Sequence, residues 1–321
     1  MPASAAASER FERPRLSRLA KILLGLQVVW GGATALLYAL LGLTFGGLSE
    51  LCLATLPALA VVAALFLLYR YLRAGREAWV VSEVMLALLV MLVFTNVGAP
   101  SQYVAVALAR PLIDPWLAAA DAAIGVDVRE LVVWTSRHPW LAAALRAAYF
   151  TLLPQMLCAV IYVGLIRQEL AHLWEYAFHF HFCLVATLLS LALFPAECVF
   201  EYQGFESLID QTRFIEQLEG FRSGALTVID WRELEGMISM PSFHVAAGLM
   251  VTWAVRGSAW ALVGFGALNV VMIAATVLCG AHYFVDLVAT FVLFALSVML
   301  WRCWVSRLHR YRPAFGRSLR G

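Results

Sequence analysis

Eight long apolar stretches run along the chain, at roughly residues 19–45, 52–69, 79–97, 141–166, 174–195, 241–256, 259–279 and 283–304, with Gly, Pro or charged residues between them. A helix that crosses the hydrocarbon core of a bilayer needs about 20 consecutive apolar residues. The pattern therefore predicts an all-α, polytopic membrane bundle of about eight spans. The first stretch is longer than the apolar core of a secretory signal, so it counts as a span. Two connections, 98–140 and 196–240, are long and more polar. Within the first, residues 112–124 are helical in composition but too short to span. Asp114 is expected to cap this helix, with Pro115 at its first position, and the helix is expected to lie at the membrane interface. Residues 205–235 mix acids, bases and apolar residues and are expected to form further short helices over the same face.

Composition agrees with this reading. The 321 residues are 63% hydrophobic and 14% charged, against about 45–50% and about 25% in soluble domains, and the mean hydropathy is +0.82. The net charge of +2 is uninformative, but the distribution of charge is not. Lys21 is the only lysine, and arginines gather at the termini and in one short loop. A nucleic-acid partner calls for a basic face on a soluble domain, so none is expected. Arginine is enriched in cytoplasmic loops. With the N-terminus inside, the inner segments carry Arg70, Arg73, Arg76, Arg167, Arg256 and the tail arginines from Arg302 to Arg320. The predicted organisation is a disordered cytoplasmic tail (1–18), two N-terminal helices (19–76), a catalytic membrane domain (77–305) and a basic cytoplasmic tail (306–321). The arginine-for-lysine bias points to a GC-rich bacterial genome, hence to an inner membrane with a periplasmic site; in a eukaryote that face is lumenal. The six cysteines read as small buried hydrophobes, with Cys198 and Cys279 close enough to the outer face for a disulfide to be conceivable.

Ionisable residues beside membrane spans are functional candidates by default. Two places stand out: Pro241-Ser242-Phe243-His244 at the start of the sixth span, and His282-Tyr283-Phe284-Val285-Asp286 at the start of the eighth. One helical hairpin separates them, which returns both to the same membrane face. His282 and Asp286 are four apart, which on a helix puts them on one side. A carboxylate on one imidazole nitrogen fixes the tautomer and raises the basicity of the other, as a nucleophile or base requires. His244 supplies a second imidazole to protonate a leaving oxygen. The helix start at Pro241 and Ser242 is suited to an anion. His179 and His181, spaced by two, point to different sides of their helix. Glu83, Asn96, Gln155 and Asn269 are expected to hydrogen-bond between helices, and Glu197 lies near the outer face.

Pro241-Ser242-Phe243-His244 resembles the Pro-Ser-x-His motif of the type-2 phosphatidic acid phosphatase superfamily, and His282-Tyr283-Phe284-Val285-Asp286 resembles its His-x-x-x-Asp motif. The form Gly280-Ala281-His282-Tyr283 and the stretch Arg110-Pro111-Leu112-Ile113-Asp114-Pro115-Trp116 look closer to the inositol phosphorylceramide synthase branch. The resemblance covers about residues 105–295 and implies a six-helix core, with the first two spans as additions. It implies that His244 is the general acid, that His282 is the nucleophile forming a phosphohistidine, and that Asp286 orients His282. It also implies catalysis without metal or other cofactor, on a membrane lipid, with water, a polyol or a lipid alcohol as acceptor. Oligomeric state is not readable. The chain departs from the family's first motif, Lys-x6-Arg-Pro: Tyr103 stands at the lysine position before Arg110-Pro111, and Thr276 replaces an arginine before His282. Arg222, then Arg110, then Arg213 are the arginines expected to meet phosphate, with Ser242. A lipid transporter is the competing class, but neither the inverted repeats nor the broken helices of many transporters are evident.

Overall fold

A computed structural model describes residues 18–73, 75–205 and 208–305, without the side chains of 48, 50–54 and 304. Apart from Arg18, the proposed tails at 1–18 and 306–321 fall outside the described residues. Every apolar stretch is helical: α1 (Arg18–Leu41), α2 (Leu48–Leu67), α3 (Arg76–Ala107), α6 (Pro139–Phe150) with α7 (Leu152–Ile161), α8 (Leu170–Leu193), α11 (Phe243–Ala254), α12 (Ala259–Cys279) and α13 (Phe284–Leu300). Among the described residues, six helices are long and apolar enough to cross a membrane, and the bent pair α6–α7 passes the same test when taken as one element. The eighth, α11, has 12 residues, about 18 Å at 1.5 Å per residue, short of a hydrocarbon core of about 30 Å.

Two boundaries differ from the hydrophobic pattern for physical reasons. The stretch at 141–166 is not one straight helix but bends by 46° at Thr151. Pro154 sits in the first turn of α7, where it has no N–H to give the Phe150 carbonyl and its ring crowds that carbonyl. Thr151 Oγ1 instead donates to the Ala148 carbonyl at 2.6 Å. Conversely, α3 does not stop near residue 97 but continues through Pro100 to Ala107. The extension is stabilised by burial of Tyr103, Val104, Ala105 and Val106 in a second apolar cluster at that end of the bundle. Tyr38 of α1 donates to the carbonyl of Pro100 at 2.6 Å.

The main core forms where α3 packs most extensively on α8, with α11 against α8 and α12. Polar groups tie the outer helices to this core. Gln27 of α1 donates to the Val90 carbonyl at 2.6 Å and lies 2.9 Å from His181 Nε2. His179 faces the other way, onto Ser297 of α13 at 2.6 Å. Glu83 accepts from Arg70 at 2.8 Å and from Trp174 at 3.0 Å. Asn269 bonds across to Thr252. Asn96 and Gln155, expected to bridge helices, bond within their own turns instead.

At the end of the bundle where α11 and α13 begin lie α4 (Asp114–Ala123), α5 (Val128–Ser136), α9 (Val199–Gln203) and α10 (Thr212–Ser223). The short helices expected at 112–124 and within 205–235 are therefore present. A small parallel sheet, which the hydrophobic pattern does not predict, pairs β1 (Thr44–Gly46) with β2 (Val228–Asp230), Phe45 opposite Ile229. It fastens the α1–α2 turn to the segment leading into α11. Asp114 does not cap α4 with its side chain. Its carboxylate is buried and accepts from the backbone of Glu197 and Cys198 and from the Tyr283 hydroxyl.

Arg70 and Glu83 are both buried. Replacing Glu83 with leucine removes the carboxylate from a buried guanidinium, which costs about 3–5 kcal/mol. Thermal unfolding in detergent is expected to show a clear drop in Tm for Glu83→Leu, and a smaller one when Arg70→Met accompanies it.

Candidate active site

Ser242 is the N-cap of α11, and its Oγ accepts the Val245 N–H at 3.4 Å. Pro241 therefore precedes the cap and does not occupy the first turn. The Ser242 N–H donates to Thr290 Oγ1 on α13 at 2.8 Å, joining the starts of the two helices. His244 is the second residue of α11. Its ring stacks on Tyr149, with centroids 4.6 Å apart and planes 8° from parallel. Tyr149 sits in the middle of an apolar stretch, and nothing in the sequence marks it. Gly280 makes the approach possible: a Cβ there would lie 2.9 Å from Tyr149 Cε2 and 2.7 Å from the Thr276 carbonyl.

His282 is not on a helix face. It lies in the link between α12 and α13, and Tyr283 is the N-cap of α13. The spacing of four is met by a capping turn. Asp286 Oδ2 accepts the Tyr283 N–H at 3.0 Å and faces His282 Nδ1 at 3.3 Å. Ser239 Oγ lies 3.5 Å from the same oxygen. With the Nδ1 proton directed at a carboxylate, the lone pair is left on Nε2, which lies 3.0 Å from Ser242 Oγ. The expected triad is thus brought together, with Ser242 beside it.

Both histidines line a cavity of about 610 Å³. Its polar wall includes Gln102, Asp210, Gln211, Glu235 and Ser239; its apolar arm runs along Phe150, Leu153, Met156, Phe180 and Leu184. Phe150 and Leu153 are also exposed on the outside of the bundle, at 66% and 75%, so the arm reaches the lipid-facing surface. Ser242 is fully buried and does not line the cavity. Burial pushes the Glu235 carboxyl up, opposed by nearby Arg213.

The proposed arginines lie elsewhere. Among the described residues, no arginine or lysine lines the cavity. Arg222 donates to the Arg110 carbonyl at 2.9 Å, so that pair forms at the edge of α10. Arg213 lies 3.9 Å from Glu235. Tyr103, expected from the resemblance to stand where the family's motif has lysine, is buried. Its hydroxyl donates to Gln217 at 2.8 Å and accepts the Glu235 N–H at 2.8 Å. Gln102 holds the next turn of the same loop through the Glu235 carbonyl and the Met237 N–H. Tyr103 and Gln102 thus fix the segment preceding Ser242. Glu197 does not line the cavity, and Cys198 and Cys279 are free thiols.

A family model described as PAP2 superfamily matches residues 115–300, more than half of the chain, and the chain belongs to that superfamily. It is an integral membrane protein of phosphatase type. No curated protein and no solved structure matches it.

Gly280→Ala is expected to displace Tyr149 and unseat His244. A misplacement of about 1 Å costs up to about 100-fold in rate, so turnover on a lipid phosphate should fall by about ten- to a hundredfold. Tyr149→Phe, which keeps the stacked ring, should retain most of it.

Proposed function

We propose, with membership of the PAP2 superfamily as the premise, that the chain transfers a phosphoryl group from a membrane lipid phosphate or phosphodiester through a phosphohistidine on His282. The observation that carries this reading is that His282 and His244 line one cavity together with an apolar arm open to lipid. In the proposed reaction Nε2 attacks phosphorus, while Asp286 holds the Nδ1 proton and stabilises the positive charge that develops on the ring. His244 gives a proton to the leaving oxygen. The acceptor hydroxyl then loses its proton to His244 as its oxygen attacks the phosphohistidine. Ser242 Oγ holds Nε2 until phosphorus replaces that hydrogen bond. We place the site on the periplasmic or lumenal side, with both termini cytoplasmic. No step calls for a metal.

A second reading has its own support. A phosphomonoester carries about −1.5 to −2 charges at pH 7, and this cavity offers two imidazoles beside Asp210 and Glu235, with no arginine or lysine among its described lining residues. A phosphodiester, with one negative charge, asks less of such a site. That favours transfer of a headgroup to a lipid alcohol or polyol, as in the inositol phosphorylceramide synthase-like branch.

Purified protein should release phosphate from a lipid phosphate, or transfer a phospho-headgroup without free phosphate when an acceptor alcohol is supplied. Either activity should survive EDTA, be inhibited by vanadate and fall by at least about 1,000-fold in His282→Ala, the scale on which losing a catalytic group acts. Lipid movement without chemistry, unchanged in His282→Ala and His244→Ala, would mark a transporter and overturn the proposal.

A further inference from the structure

We infer that α4 is a positioning element for His282, acting through Asp114 and Asp121, neither of which lines the cavity. The inference rests on the reading of His282 as the attacking group. Both carboxylates are buried, at 0% and 2% exposure, and both are spent on the backbone flanking the imidazole. Asp121 Oδ2 accepts the Phe284 N–H and Oδ1 the Val285 N–H, each at 2.9 Å. These are first-turn donors of α13, which no intrahelical carbonyl can satisfy, and a negative charge is favourable at that helix end. Asp286 takes the Tyr283 N–H, so two carboxylates from different elements satisfy three successive donors directly after His282.

Asp114 acts on the other side. Its Oδ1 accepts the Tyr283 hydroxyl at 2.9 Å and the Cys198 N–H at 3.3 Å, and its Oδ2 accepts the Glu197 N–H at 2.9 Å. Cys198 has φ 125°, and Ala281, the residue before His282, has φ 64°. L-residues adopt such angles only when their surroundings hold them there. The two strained residues adjoin: the Val199 N–H lies 3.4 Å from the Ala281 carbonyl. Asp114 is the group common to both, through the Cys198 N–H on one side and the Tyr283 hydroxyl on the other. Burial pushes the Asp121 carboxyl up, while the Phe284 and Val285 N–H groups pull it down. The geometry alone makes α4 a bracket whose two ends fix the backbone turn that aims Nε2.

The test is steady-state kinetics of full-length Asp114→Asn, Asp121→Asn and Tyr283→Phe in detergent, expressed per folded protein, beside His282→Ala. An amide nitrogen in place of either carboxylate oxygen faces a donor with a donor. The asparagine variants should lose about ten- to a hundredfold in kcat with KM within about twofold, because neither carboxylate itself lines the cavity. Tyr283→Phe deletes one hydroxyl and should lose kcat by a few-fold with KM unchanged. It also serves as the test if an asparagine variant does not fold. Unchanged kcat per folded protein in these variants, or a loss appearing chiefly in KM, overturns the positioning role while leaving His282 in place. Full activity in His282→Ala would overturn the reading on which it rests.

Discussion

The carboxylate of Asp286 is the constraint around which the rest is arranged. It is fully buried at the first turn of α13, where a lone charge would be very costly. The cost is offset by the Tyr283 N–H, by His282 Nδ1 and by the positive end of a helix dipole. The same Oδ2 thus starts α13 and orients the imidazole. Neither function can be altered without the other, so the geometry of the site is inseparable from the geometry of a helix start.

The surrounding bundle keeps that start rigid. Thr290, one turn further along α13, receives the Ser242 N–H and donates back to the Asp286 carbonyl at 2.6 Å, so the ends of α11 and α13 are registered on each other. The elongated α3 carries Gln102 and Tyr103 beyond the core to hold the 235–237 segment. The β1–β2 pairing brings the α1–α2 turn to the same end. The helices outside the matched region therefore reach toward the site instead of only flanking the bundle.

Much of this was legible in the sequence because membrane spans are written as length and hydropathy. The stretch at 259–279 matches α12 to the residue, and the hairpin logic that put His244 and His282 at one end follows from span order alone. What was not legible depends on details that hydropathy does not encode. Proline bends one apolar run near Pro154 yet is absorbed within α3 at Pro100, a difference that hydropathy does not record. The four-residue spacing of His282 and Asp286 fits a helix face and a capping turn equally, and the structure has the capping turn. Asp114 looked like a local cap; its partners lie far away in sequence, at Cys198 and Tyr283. Arg222 stands at a suitable distance before Pro241 along the chain, but in the fold its guanidinium is engaged with the Arg110 carbonyl.

Ser242, His282 and Asp286 also stand in the order of a hydroxyl, imidazole and carboxylate relay, so the identity of the attacking atom is the central claim. Burial of Ser242 away from the cavity, against the exposure of His282 to it, favours the imidazole. The direct measurement is to quench the enzyme during turnover of a phosphorus-labelled lipid substrate and locate the label by peptide mapping. An acid-labile, alkali-stable phosphoryl or phospho-headgroup adduct is expected on the peptide carrying His282 and is expected to be absent in His282→Ala. An acid-stable adduct on Ser242, with turnover intact in His282→Ala, would contradict attack by the imidazole.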